Sequence, residues 1–336
     1  MPRLHSINTR GFGPLGEPPP VNNWAKMKID KHAPEKMNFG DDLNSWLWPR
    51  LMPECLSETD GIHFLGIGTL LKARRFETKL AKTRRIVIFS SGSWGVDLPV
   101  LDHRCRVYGV RGPRTARALG LASDKVIGDG AYLLKTLPQG NIEQSGKEIG
   151  FVPHHGSERY VDWQSVCDAA GLRFISPRQP VESFIGAIAQ CKTVITEAMH
   201  GAITADILRI PWVAVSFAPN FNSEKWFDWA ESMSVELKIH PLPMVYQQTP
   251  PFWRGLENRG KRWLNRVGVG PEKWARLPYA LRASPSKQKD QLIDSLKSLA
   301  ENREEQLSSD AAISEILERQ NAALETLRKD YRENNL

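Results

Sequence analysis

Short apolar runs alternate with helix-length stretches through the first third of the chain. GIHFLGIG, RIVIFSSGSWG, CRVYGVRG and KVIGDGAYLL each read as a strand. Such alternation predicts a parallel sheet with helical crossovers. Each run closes in Gly with small or polar residues, where an open α/β sheet carries its ligand loops. A polar, turn-rich stretch, PQGNIEQSGK (138–147), follows, and then the alternation restarts. EIGFVPHH, RFISP, KTVITEA and PWVAVSF are the expected strands of this second unit. ERYVDWQSVCDAAGL, PVESFIGAIAQC and AMHGAITADILRI are its helices, with apolar spacing such as Phe184, Ile188 and Cys191.

The ends of the chain have a different texture. Residues 1–22 are rich in Gly and Pro and predict an irregular arm. From 247 to 283 the chain becomes basic and aromatic, with Trp253, Trp263, Trp274 and Tyr279 among Arg and Lys residues. From Ser286 onward a repeating face of Leu292, Leu296 and Leu299, then Ile313, Leu317, Leu324 and Leu327, predicts helices. That face needs a partner, either the body of the protein or another chain. The expected division is an arm (1–22), an N-terminal domain (23–140), a C-terminal domain (146–246), and a basic aromatic segment with a helical tail (247–336).

Composition narrows the class. The 336 residues are 41% hydrophobic and 25% charged, ordinary globular usage for two domains. No run approaches the roughly 18 apolar residues that span a bilayer, and the start lacks the apolar stretch of a signal peptide. A cytoplasmic protein is expected. Cys55, Cys105, Cys167 and Cys191 lie too far apart for a zinc knuckle or disulfide framework, so reduced thiols and no metal are expected. The formal charge of +7 favours an anionic partner without choosing among metabolites, nucleic acid and lipid.

Several strand ends carry residues able to do chemistry. In NFGDDLN, Asn38, Asp41 and Asp42 precede a helical pattern, so a carboxylate there either caps the helix or meets hydroxyl groups. In VRGPRTARALG, Arg111 and Arg114 flank a helix start, a setting suited to phosphate or carboxylate. His154 and His155 end a strand, and Arg178 follows another. In TEAMHGAITADILRI a strand breaks into Glu197, His200 and Gly201 and then a helix, placing an imidazole beside free helix amides. Lys225 and Trp226, in NSEKWFDW, are candidates for a sugar site, with ordinary core packing the alternative for the aromatic.

The ordered set NFGDDL, GIGTLL, FSSGSWG, YGVRGPRTARALG, VIGDGAYLL and TEAMHGAITADILRIPWVAV resembles the polysaccharide pyruvyltransferase family over about residues 38–217. TEAMHGAI and FNSEKWFDWAES are most similar to the branch that builds pyruvate ketals on succinoglycan-type exopolysaccharides. The resemblance implies two Rossmann-like domains in a GT-B-like arrangement, with phosphoenolpyruvate as donor substrate in the cleft and no cofactor. It also implies a lipid-linked oligosaccharide acceptor at the inner membrane face. The aromatic and basic residues of 247–283 make that segment a candidate contact with such a surface, the alternative being an irregular segment packed across both domains. On this reading His200 handles phosphate and proton transfer, with Glu197 as second acid. Arg111, Arg114, Arg178, His154, His155 and Gly201 surround the donor, and Asn38, Asp41, Asp42, Lys225 and Trp226 the acceptor. Family members commonly carry Arg two residues before the matching His, where this chain has Ala198, so Arg111, Arg114 or Arg178 would compensate. The alternatives are a nucleotide-sugar glycosyltransferase of the same architecture and a non-enzymatic nucleic-acid-binding or assembly protein. No nucleic acid is expected as partner, and the oligomeric state stays open.

Overall fold

The computed structural model describes residues 27–30, 38–56, 61–137, 146–158, 160–218, 221–245, 260, 263–264, 284, 286–333 and 335–336. The 1–22 arm and nearly all of the 247–283 segment lie outside the described residues, as does most of the expected boundary at 138–147.

Two parallel sheets form the centres of two lobes. The first runs β1 (Met27–Ile29), β2 (Ile62–Leu65), β3 (Arg85–Ser91) and β4 (Cys105–Val110), adjacent in chain order. The second holds β5 (Glu148–Val152), β6 (Arg173–Phe174), β7 (Cys191–Thr196), β8 (Trp212–Ser216) and β9 (Ile239–Pro241), in the spatial order β6-β5-β7-β8-β9. The chain therefore reverses direction across the sheet between β5 and β7. At such a switch point the loops leaving neighbouring strands diverge to opposite faces and leave a crevice.

Helices fill the crossovers: α1 (Phe39–Leu51), α2 (Ala73–Glu77) and α3 (Pro113–Ala118) in the first lobe, then α4 (Trp163–Ala170), α5 (Val181–Ala189), α6 (Met199–Ile207) and α7 (Ser223–Ser232) in the second. Their limits follow from local chemistry. Asp162 accepts the Ser165 N–H and starts α4 well inside the expected helix, and Gly171, at φ 69°, ends it. KVIGDGAYLL is not the expected strand. Val126 makes one bridge to Val110, after which Gly128 turns at φ 79° and Asp129 caps a 3-10 turn over Gly130–Thr136.

The tail divides its apolar face between the lobes, so the body of the protein is its partner. α8 (Ser286–Glu301) lies on α4, with Leu292 and Leu296 in the second lobe's core. A non-helical link follows, in which Gln306 pairs with Trp212 through backbone bonds of 2.8 and 3.0 Å. α9 (Asp310–Arg332) then crosses back onto the first lobe. There Ile313, Ile316, Leu324 and Leu327 join the core, Tyr108 donates to Asp330 at 2.7 Å, and Gln320 donates to the Asp129 carbonyl at 2.8 Å. The architecture is GT-B-like: two Rossmann-like lobes and C-terminal helices.

The lobes meet along packed and polar contacts. Phe39 of α1 stacks on Phe184 of α5 with ring centroids 4.2 Å apart, and Tyr132 donates to Asp206 at 2.8 Å. The buried Arg111 guanidinium, after β4, pairs through Nε with Asp228 of α7 at 3.0 Å. Asp228 also accepts from the Thr115 amide at 2.8 Å and the Thr115 hydroxyl at 2.7 Å. Removing one partner of a buried pair leaves an uncompensated charge. Asp228→Ala is therefore expected to lower unfolding stability by about 3–5 kcal/mol, measured by urea denaturation; a loss below about 1 kcal/mol would mean that the pair does not hold the lobes.

Candidate functional site

The cleft between the lobes opens into a cavity of about 430 Å³, within the usual range for small-ligand sites. From the first lobe it is lined by the start of α1, by Gly68, Thr69 and Lys72 after β2, and by Trp94 after β3. From the second it is lined by His154 and His155 after β5 and by Ala198 to Gly201 after β7, the two loops that flank the switch point. Lys225, in the first turn of α7, completes this wall.

Two helix N-termini thus face one cavity, those of α1 and α6. The first amides of a helix lack intrahelical acceptors and favour an anion. At α1 the acidic pair divides its work. Asp42 accepts the Asn38 amide at 3.2 Å and acts as a cap, whereas Asp41 lines the cavity and accepts from the Asn38 side chain at 3.0 Å.

His200, in the first turn of α6, spans the interface. Its Nε2 lies 3.6 Å from Oδ2 of Asp129, a carboxylate of the opposite lobe with no exposure to solvent. Neither atom has a hydrogen-bond partner among the described residues. Burial works against ionisation of Asp129. His200, Arg111 and the Ala131 amide outweigh it and hold the carboxyl below its usual range. An ionised Asp129 facing Nε2 across the lobe boundary orients the imidazole. On the other side, a Cβ added to Gly40 would fall 2.1 Å from His200 Nδ1, so α1 approaches the ring at a distance only glycine permits.

Of the residues singled out from sequence, Asn38, Asp41, His154, His155, His200, Gly201 and Lys225 come together here. Others stand behind or beside the wall. Glu197 is buried and accepts the Ala218 amide at 2.7 Å and the His154 amide at 3.0 Å, which fixes both loops. Burial raises its pKa, with the Ser157 hydroxyl and these amides opposing. Trp226 is wholly buried against Trp212 and Trp229, so it belongs to the core rather than to a sugar platform. Arg114 pairs with Glu231 at 2.6 Å and Glu224 at 2.9 Å, and Arg178 with Glu158 at 2.5 Å. Arg111 is engaged by Asp228, Thr69 and the Ser93 carbonyl.

Sequence reasoning passed over Asp129, Lys72, Trp94 and Gly40. The signal for Asp129 was present, a carboxylate between two glycines at the end of a β-run, VIGDGA. Lys72, inside LLKARR, offered none. Burial first, and then Arg111, push the Lys225 ammonium down to about 8, with Glu197 and Asp41 opposing. Lys72 is also lowered, chiefly by burial and then Arg75, with Asp97 and Asp41 opposing. The four cysteines are free; Cys55, Cys167 and Cys191 are buried, and burial pushes these thiols up to about 12, 12 and 11. No cluster of three or more His, Cys, Asp or Glu side chains among the described residues is arranged to hold a metal ion.

The family model for polysaccharide pyruvyl transferase matches residues 73–218, from α2 to the end of β8 and its loop. The chain is also 32% identical over 309 residues to the succinoglycan biosynthesis protein ExoV of Rhizobium meliloti (strain 1021), covering 88% of this chain and 96% of that one. The chain belongs to the polysaccharide pyruvyl transferase family. It is a transferase of pyruvyl groups onto polysaccharide sugars as ketals, and the cleft is its candidate active site. No solved structure matches it. Among the described residues of this pyruvyl transferase, no helix is long and apolar enough to cross a membrane.

Gly40 gives a direct check on the position of His200. Gly40→Ala otherwise favours a helix, so the melting temperature should hold while the displaced imidazole lowers kcat by at least about a hundredfold. Normal turnover in this variant would place the working imidazole elsewhere.

Proposed function

We propose that the cleft binds phosphoenolpyruvate and transfers its pyruvyl group to two hydroxyls of one sugar on a lipid-linked exopolysaccharide repeat. The observation that carries this is the pairing of His200 with Asp129 across the lobes, beside two helix N-termini and two lysines. A proton donor and a concentrated positive field suit a donor with a phosphate, a carboxylate and a carbon to be protonated.

His200, held by Asp129, gives a proton to the methylene carbon of the donor, which becomes the methyl group. The positive charge that develops on the neighbouring carbon is met by one sugar hydroxyl, whose proton restores His200. The carbon–oxygen bond to phosphate breaks, and a second hydroxyl closes the ketal while its proton leaves with phosphate. Asp41, on the α1 side of the cavity, is the carboxylate available to orient a hydroxyl. Glu197 serves by fixing the His154 loop rather than by touching substrate. The acceptor's lipid would bring the protein to the cytoplasmic face of the inner membrane, with residues 247–283 as the contact.

A nucleotide-sugar transferase of the same architecture would respond to other ligands. Phosphoenolpyruvate is expected to raise the melting temperature and UDP- and GDP-sugars to leave it unchanged. His200→Ala should keep the ligand-free melting temperature and lose about a hundredfold to ten-thousandfold in kcat at saturating donor, measured as pyruvate gained by a lipid-linked oligosaccharide in mass spectrometry. A folded variant with near-normal turnover would refute the role.

A further inference from the structure

Positive charge is distributed unevenly around the cavity. Each arginine that the sequence offered for anion binding is already occupied. Arg111 spends Nε on Asp228, Nη1 on Thr69 and Nη2 on the Ser93 carbonyl. Arg114 holds Glu224 and Glu231, and Arg178 holds Glu158 and the His155 carbonyl. The lysines of the cavity wall differ. Among the described residues neither the Lys72 nor the Lys225 ammonium makes a hydrogen bond or salt bridge. Lys72 rests on the Trp94 ring, its Nζ 4.2 Å from the centroid.

Both lysines are half-buried, and they enter the cavity from opposite lobes, Lys72 from the loop after β2 and Lys225 from α7. Desolvating an ammonium without a counter-charge is unfavourable, and a protein keeps such a group in a cleft chiefly where a ligand completes it. The Trp94 face offsets part of that cost for Lys72. Asp41 is the carboxylate whose charge reaches both lysines, and it forms an ion pair with neither.

We propose that Lys72 and Lys225, rather than the arginines, are the cations that receive the two anionic groups of the donor, one lysine from each lobe. The proposal rests on phosphoenolpyruvate as donor. It removes Lys225 from the acceptor side and gives Arg111 an indirect part, that of setting the position of α7 through Asp228. A donor bridging both lysines would also tie the lobes together while His200 and Asp129 act.

Lys72→Met and Lys225→Met keep the aliphatic stems and remove the charges. Calorimetric titration with phosphoenolpyruvate, and separately with inorganic phosphate, reads the effect. Each variant is expected to bind phosphoenolpyruvate about tenfold or more weakly, and the variant whose lysine meets the phosphate should lose its response to inorganic phosphate as well. Removing an unpaired, half-buried charge should leave the ligand-free melting temperature unchanged or raised.

A second readout uses the wild-type protein alone. The groups facing Lys225 are Arg111, Lys72, Asp41 and Glu197, with His154, His155 and His200 around the cavity and Glu224 and Asp228 on its own helix. Lys225 loses its proton through about pH 8, so donor affinity should fall between about pH 7.5 and 9 in the wild type and change much less in Lys225→Met. Wild-type affinity in both variants overturns the proposal. Wild-type protein that does not bind phosphoenolpyruvate at all overturns the donor reading itself, and the proposal with it.

Discussion

A buried guanidinium–carboxylate contact between the lobes underlies the rest of the architecture. Arg111 leaves the end of β4, Asp228 sits mid-way along α7, and the carboxylate also holds the amide and hydroxyl of Thr115 at the start of α3. There is no room for slack at this contact: a Cβ on Gly112 would lie 1.9 Å from the Asp228 carbonyl oxygen, and one on Gly92 2.2 Å from the guanidinium. A buried ion pair adds little net stability against apolar packing, but each charge is unfavourable without the other, which restricts the lobes to one relative position. The cavity has walls from both lobes, and the His200–Asp129 pair has one member in each, so both are consequences of that restriction.

The tail extends the same logic. α9 follows the second lobe in the chain but packs on the first, and its Gln320 amide reaches the carbonyl of Asp129 itself. Ile316 fills the space beside Gly128, where a Cβ would fall 2.7 Å from its Cγ2. The turn that presents Asp129 to His200 is therefore supported from behind by a helix some 190 positions later in the sequence.

Much of this was legible in the sequence because it depends on local patterns. Short runs of strand-forming residues, such as RIVIFSS and CKTVIT, became strands, and the turn at Ala198–Gly201 became a strand-to-helix junction on a cavity. The strands passed over were β1 and β9, three residues each, which are too short for any period to register, and the helix α7 was passed over with them. KVIGDGAYLL was apolar enough for a strand, but its closely spaced glycines and the capping aspartate turned the chain. Side-chain roles were less legible, because they are decided by partners distant in sequence. Arg111 and Arg114 sit where a phosphate site would use them, yet their carboxylates lie 110 or more positions away on α7. Trp226 and Lys225 are adjacent in sequence; one is sealed among tryptophans and the other faces the cavity.

The claim on which the functional account turns is that His200 and Asp129 act as one unit across the lobes, and a double-mutant cycle on turnover measures this directly. kcat for pyruvyl transfer would be determined for the wild type, His200→Ala, Asp129→Ala and the double variant, with melting temperatures recorded alongside. Residues that act together are strongly non-additive. The account predicts that the double variant is about as slow as His200→Ala alone. Losses that multiply, with all four proteins folded, would contradict it.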